Sequence, residues 1–178
     1  FTEPNEFNSA GLGITNFLSI PSELIISGGG SDGSRFLFNF NNDGDSLSFR
    51  DVSDRNFKKG MRYYEGSSLL PEGIYTLEYK SLVHFKNIED EFSTLIANDT
   101  MWTHDFALFE NNVITFASVS NHLWLQNFLF PSSEPQLAET YIGNQYNFGR
   151  FLALDNNGTV IVYGRDLVKL DEAFNIMW

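Results

Sequence analysis

The 178-residue chain contains no cysteine, which removes thiol catalysis, thiolate-bound metals and disulfide bridges together. A cytosolic protein fits that absence, and so does a secreted domain large enough to stand without bridges. Positive charge is scarce: 11 Lys and Arg against 23 Asp and Glu leave a net charge of −12. Such a field repels phosphate backbones and anionic headgroups, so nucleic acid is not an expected partner. Uninterrupted apolar runs of about 18 residues are missing, and with them the basis for membrane insertion. Only three histidines occur, His84, His104 and His122. None stands in an H-x-x-x-H spacing or beside a motif-forming acid, so neither a zinc site nor a catalytic triad is signalled. No metal and no cofactor is expected.

Aromatic residues are abundant. Eighteen Phe, seven Tyr and three Trp make up 16% of the chain, and such residues suit a pleated, half-buried surface better than a helix. At this length roughly 70% of the unfolded chain's surface can be buried, so one core suffices and residues 1–178 read as a single all-β domain. Alternating runs recur at Arg35–Asn41, Ser46–Asp51, Gly73–Lys80, Phe106–Phe109, Val113–Ala117, His122–Leu125, Phe151–Asp155 and Thr159–Tyr163. Clusters of Gly, Asn, Asp and Ser separate them, as strands joined by tight turns require. Helical spacing is weak; Asn87–Ile96 is the best candidate, for one short helix. Phe1–Asn8 and Ser27–Ser34 read as surface segments.

Three strand–turn–strand passages resemble one another. Arg35–Phe49 carries Asn-Asn-Asp-Gly at its tip, Arg150–Tyr163 carries Asp-Asn-Asn-Gly, and Phe106–Phe116 carries Glu-Asn-Asn. Their starts lie about 70 and about 45 residues apart, and three such hairpins suggest a β-trefoil-like fold with an enlarged first lobe. The ending Leu167–Trp178 would supply a last strand. The alternative is an antiparallel β-sandwich, in which hairpins are as common.

The chemical motifs are weak. Gly28, Gly30 and Gly33 match G-x-G-x-x-G after Leu24-Ile25-Ile26. A dinucleotide fingerprint needs a helix next, and Arg35–Phe40 alternates as a strand. Asn39, Asn41, Asp43, Gly44 and Asp45 imitate the start of a calcium loop, yet Arg50 stands where the bidentate acid belongs. A hairpin turn accounts for the same residues. No pair of carboxylates stands out for glycoside hydrolysis, so binding is favoured over catalysis.

Aromatic faces can stack on the apolar side of a sugar ring. Trp102, Trp124, Tyr63, Tyr64, Tyr141 and Tyr146 could furnish such a platform, with Trp102, Trp124 and Tyr141 as the chosen ligand-binding candidates. Asp155 and Asn157, after Phe151, are candidate polar contacts. Asn98-Asp99-Thr100 and Asn157-Gly158-Thr159 are N-glycosylation acceptors in expected loops. They favour a secretory route slightly; an opening on Phe1 rather than Met fits removal of a leader and fits simple trimming of the chain equally.

The last third carries a family resemblance. Its parts are Asn121-His122-Leu123-Trp124-Leu125-Gln126-Asn127-Phe128-Leu129-Phe130-Pro131, then Glu134-Pro135-Gln136-Leu137-Ala138-Glu139-Thr140-Tyr141, then Gly149, Phe151-Leu152-Ala153-Leu154, Val160-Ile161-Val162-Tyr163 and Phe174-Asn175-Ile176. Residues 121–178 resemble the C-terminal domain of fungal cell-wall mannoproteins of the PIR type and their secreted relatives. The family's cysteines and Gln-containing repeats are missing, so covalent attachment to glucan by that route is not implied. The resemblance implies a secreted, non-catalytic fungal wall or surface protein; the candidate aromatics and loop Asn and Asp side chains add the expectation that it meets cell-wall polysaccharide, in adhesion or wall structure. The alternatives are a polysaccharide-acting enzyme with a hidden carboxylate pair, or a protein-interaction and assembly module.

Overall fold

The computed structural model describes residues 13–55, 57–97, 102–119, 122–130, 136–141, 151–154, 160–163 and 167–169, together with Asp171, Asn175 and Met177. Among these residues every regular element is a strand: β1 Gly13–Ile20, β2 Glu23–Gly29, β3 Arg35–Asn41, β4 Ser46–Asp51, β5 Phe57–Tyr64, β6 Gly73–Glu78, β7 Ser81–Phe85, β8 Ser93–Ala97, β9 Trp102–Phe109, β10 Asn112–Val119, β11 His122–Leu129, β12 Gln136–Tyr141, β13 Phe151–Leu154, β14 Val160–Tyr163 and β15 Leu167–Lys169. The all-β class expected from the aromatic content is the observed one.

The strands form four antiparallel meanders, β1–β4, β5–β8, β9–β12 and β13–β15, each ordered as in the chain. Their first strands begin at residues 13, 57, 102 and 151, a step of roughly 45 residues for one four-stranded unit. Four-stranded sheets repeated in this way are the units from which propeller blades are built. The three resembling hairpins are not equivalent lobes. β3–β4 supplies the last two strands of its meander, whereas β9–β10 and β13–β14 supply the first two of theirs. The strand orders therefore do not describe a trefoil with an enlarged first lobe.

By its contacts the chain divides into two compact units, one holding β1–β4 and the segment Lys86–Glu91, the other holding β5–β15. In the first, register aligns three rows across all four strands: Ile14–Gly28–Phe36–Asp51, Phe17–Ile26–Phe38–Phe49 and Ser19–Leu24–Phe40–Ser46. Side chains alternate between faces along each strand, so these rows share one face. Ile25, Ser27, Leu37 and Asn39 alternate with them on the other face, and all four are buried. Arg50 ties the segment Lys86–Glu91 to β4, its Nη1 donating to the Ile88 carbonyl at 2.9 Å and also to the Asp90 carbonyl.

The turn between β3 and β4 is held by Asn41. Its Oδ1 accepts from the Asp43 and Asp45 amides at 3.0 and 2.8 Å, and its Nδ2 donates to Asp45 Oδ2 at 3.1 Å. Gly44 takes φ +85° there. The residues that imitate a calcium loop are a self-bonded hairpin turn. The G-x-G-x-x-G stretch has an equally local explanation. A Cβ on Gly28 would sit 2.4 Å from Phe36 Cζ, so the glycine lets an aromatic ring cross the neighbouring strand. Gly28 and Ser27 are buried strand residues, not part of the expected surface loop.

In the second unit, Tyr75, Leu77, Leu82 and Ile96 from β6–β8 form one buried cluster with Phe106, Val113 and Phe128 from β9–β11. The two meanders thus pack face to face, and each large side chain buried there contributes about 2–3 kcal/mol. Arg62 on β5 crosses this layer. Its Nη2 donates to both carboxylate oxygens of Asp105 at 3.0 and 3.1 Å, while its guanidinium lies 5.2 Å from the Phe106 ring centre. The initial strands are also neighbours, with β9 lying against β5 and β13.

The helix expected over Asn87–Ile96 does not form. Asn87 Oδ1 accepts from the Glu89 and Asp90 amides, closing a turn in place of a first helical turn. Leu82 then pairs with Ile96, which draws the rest of the segment into β8.

Candidate functional site

β6 and β7 are joined by a two-residue turn, Tyr79-Lys80, closed by the Glu78–Ser81 pair. Tyr79 adopts φ +54°, in the left-handed region where glycine is the usual occupant. Holding a tyrosine there costs about 1–2 kcal/mol. Its ring is set against Trp102, the first residue of β9, with ring centres 4.7 Å apart and planes tilted by 55°. Lys80 Nζ lies 5.6 Å from the Trp102 ring centre. After these contacts Tyr79 and Trp102 each remain 43% exposed. A strained turn thus presents two aromatic rings and an ammonium group together at the surface, and strained backbone of this kind collects at functional sites.

The other expected ligand contacts do not join Trp102. Trp124 lies in the ladder row Trp124–Ala117–Thr103, next to the row Leu123–Ser118–Trp102. Adjacent rows face opposite ways, so the two indoles lie on opposite faces of the β9–β12 sheet. Trp124 is half-buried, and its Nε1 is enclosed with no hydrogen-bond partner, an arrangement of packing, not of an exposed platform. Tyr141 pairs with Leu123 in the Trp102 row but at the far edge of the sheet, about 14 Å away at ordinary strand spacing. Asp155, Asn157 and Asn98 lie outside the described residues, as does Tyr146. The partner that sequence reasoning missed is Tyr79; an aromatic at the tip of a two-residue turn between two alternating runs was the available signal.

Tyr63 and Tyr64 are committed elsewhere. The Tyr63 hydroxyl donates to Glu72 Oε1 at 2.5 Å, a bond that holds its pKa above the ordinary phenol value. The Tyr64 hydroxyl donates to the Glu110 carbonyl at 2.7 Å. The His84 ring lies 4.8 Å from that of Tyr75, tilted by 52°, and its Nε2 contacts the Glu72 carbonyl; the His104 ring lies 5.9 Å from that of Phe116. Among the described residues no group of three or more His, Asp or Glu is placed to hold a metal ion.

A second feature lies on the first meander. A shallow pocket of about 450 Å³ has Leu24, Ile26 and Phe40 on its floor and Glu23, Asn41 and Asn42 at its rim. The rim groups are already engaged. Glu23 accepts from Asn39 Nδ2 at 2.8 Å, Asn41 is spent on its own turn, and Asn42 Nδ2 donates to the Pro21 carbonyl at 3.3 Å. The pocket therefore offers apolar surface more than free hydrogen-bonding groups. No protein-family model matches the chain, and no curated protein is significantly similar to it.

Proposed function

We propose that the protein is a secreted, non-catalytic module that binds cell-wall or cell-surface polysaccharide at the Tyr79–Trp102 corner, in adhesion or wall structure. The observation that carries this reading is the tilted, half-exposed pair itself: a tyrosine held in left-handed backbone so that its ring meets an exposed tryptophan. Aromatic faces take the apolar side of a pyranose, and the Lys80 ammonium beside them can donate to ring hydroxyls. The net charge of −12 fits neutral glycans better than anionic ones. The resemblance of residues 121–178 to wall mannoproteins points to the same setting.

The test is a glycan array followed by calorimetric titration with β-glucan, chitin and mannan. Binding to one of them that is lost in Trp102→Ala, with the fold retained, is expected; silence on all three removes the carbohydrate reading.

A second reading, a protein-interaction or assembly module, is favoured by a different observation: the exposed Phe17 and Phe49 on the edge strands of the first meander.

A further inference from the structure

The corner formed by Tyr79, Lys80 and Trp102 already holds an ammonium group of its own. Lys80 Nζ lies over the Trp102 ring, 5.6 Å from its centre, within the range at which the negative face of an indole attracts a cation. The Tyr79 ring comes against the same indole at 4.7 Å, with the planes tilted by 55°, so the two rings form a corner and not a flat platform. Aromatic rings set at an angle to one another are the arrangement that recognises ammonium groups. Tyr79 and Trp102 each remain 43% exposed with Lys80 in place, so a solute can reach both.

Backbone geometry fixes where that ammonium sits. The Glu78–Ser81 pair leaves Tyr79 and Lys80 as the two turn residues, and Tyr79 holds φ +54° to keep its ring against the tryptophan. Lys80 follows directly, so the same turn delivers the second aromatic wall and the cation together. Trp102 opens β9, on the next meander, and meets them only in the folded unit. The lysine stem is long and flexible. Its ammonium can therefore withdraw into water while the two rings stay in place.

Exchange at the ring then depends on what arrives. A neutral sugar that covers this face removes the cation from the indole and puts only an apolar contact in its place. An amine-bearing sugar replaces one cation by another. The net charge of −12 works in the same direction, drawing cationic solutes toward the protein. We propose that the corner takes an amine-bearing polysaccharide whose sugar ammonium replaces that of Lys80 over the Trp102 ring, with Lys80 as its tethered competitor. This rests on the corner being the glycan site and adds the class of glycan it selects. Once displaced, the Lys80 ammonium turns to water or to ring hydroxyls, and salt screens it from the sugar amines.

The experiment is calorimetric titration of the full chain with two oligomers of equal length, one of glucosamine and one of N-acetylglucosamine, in mildly acidic buffer where the glucosamine amines are charged. The glucosamine oligomer should bind about two- to five-fold more tightly, the size of one exposed contact between a cation and an aromatic ring. Trp102→Ala, with circular dichroism unchanged, should abolish that preference, which separates the corner from general attraction of a polycation to an acidic surface. Lys80→Gln keeps a hydrogen-bond donor but removes the competing charge, and should tighten both oligomers by about two- to five-fold. The neutral oligomer is the diagnostic one, since loss of a charge alone would not tighten it. Equal affinity for the two oligomers, a preference that survives Trp102→Ala, or weaker binding in Lys80→Gln would overturn the inference. Binding of the N-acetylated oligomer through Trp102 with no preference for the amine leaves the glycan reading standing while this one falls. A chain that binds neither oligomer also overturns it, and β-glucan and mannan then decide the glycan reading alone.

Discussion

The first and second meanders are built alike and finished differently. Both are four antiparallel strands in chain order with aromatic-rich rows across them. In β5–β8, Tyr75 and Leu77 alternate with Ile74 and Thr76, and all four are buried, so both faces are covered. In β1–β4 the Ile25–Leu37 side is buried, whereas on the other side Phe36 is buried and Phe17 and Phe49, on the edge strands, are 74% and 53% exposed. Sequence pattern fixes which residues share a face; coverage depends on what lies beside that face. The same kind of residue is therefore enclosed in one sheet and exposed at the edges of the other.

Paired truncations should expose that difference most strongly. Phe106→Ala removes a fully buried ring from the layer between meanders and should cost about 3–5 kcal/mol in urea unfolding. Phe17→Ala should stay within about 0.5 kcal/mol of the parent, as surface substitutions do. Equal losses at the two sites would show that Phe17 is covered after all.

A smaller effect is expected from the polar contact inside the covered layer. Asp105 accepts both bonds from Arg62 and its side chain is 8% exposed, whereas that of Arg62 is 30% exposed. Asp105→Asn keeps the shape but removes the charge, and should cost about 1.5–3 kcal/mol in the same assay.

Tyr79→Gly separates strain from ring contact. Relief of the left-handed backbone offsets loss of the Trp102 contact, so stability should change by less than about 1 kcal/mol. Glycan affinity should nevertheless fall in calorimetry if the pair is the binding surface.

The smallest effect concerns acid. Donors from Ser34 hold Asp32, and donors from Ser53 hold Asp51, below the usual carboxylate value, side-chain hydroxyl first and amide second in each case. The unfolded chain takes up these protons at higher pH than the folded one. Their contribution is complete above the unfolded carboxyl value and is lost as pH falls through the folded one. Replacing both by Asn should flatten the acid limb of a stability–pH curve slightly and leave the neutral plateau almost unchanged.

Much of this fold was legible in the chain. Arg35–Asn41 and Ser46–Asp51 were expected to the residue as β3 and β4, because strict alternation and an Asn-Asp-Gly turn act together there. β5 was missed because two register shifts interrupt its pairing with β6. The repeat was set wrongly for a different reason. Asn-rich two-strand turns occur at more than one place in a meander, so matching tips does not match strands. The spacing of about 45 residues between the second and third hairpins was the true period, and that of about 70 was not. At the candidate site Trp102 and Trp124 were named alike, and the sequence did not tell which of the two is exposed; two strands apart, they differ in face. One residue of register decides between them.

The Arg50 bonds to Ile88 and Asp90 have a consequence for synthesis. β1–β4 can zip together as soon as it leaves the ribosome, but the cation on its last strand meets its acceptors only after some forty further residues have emerged. A nascent chain halted shortly after β4 would be a meander lacking its clasp, and pausing the ribosome before or after Glu91 should change how readily that meander is digested.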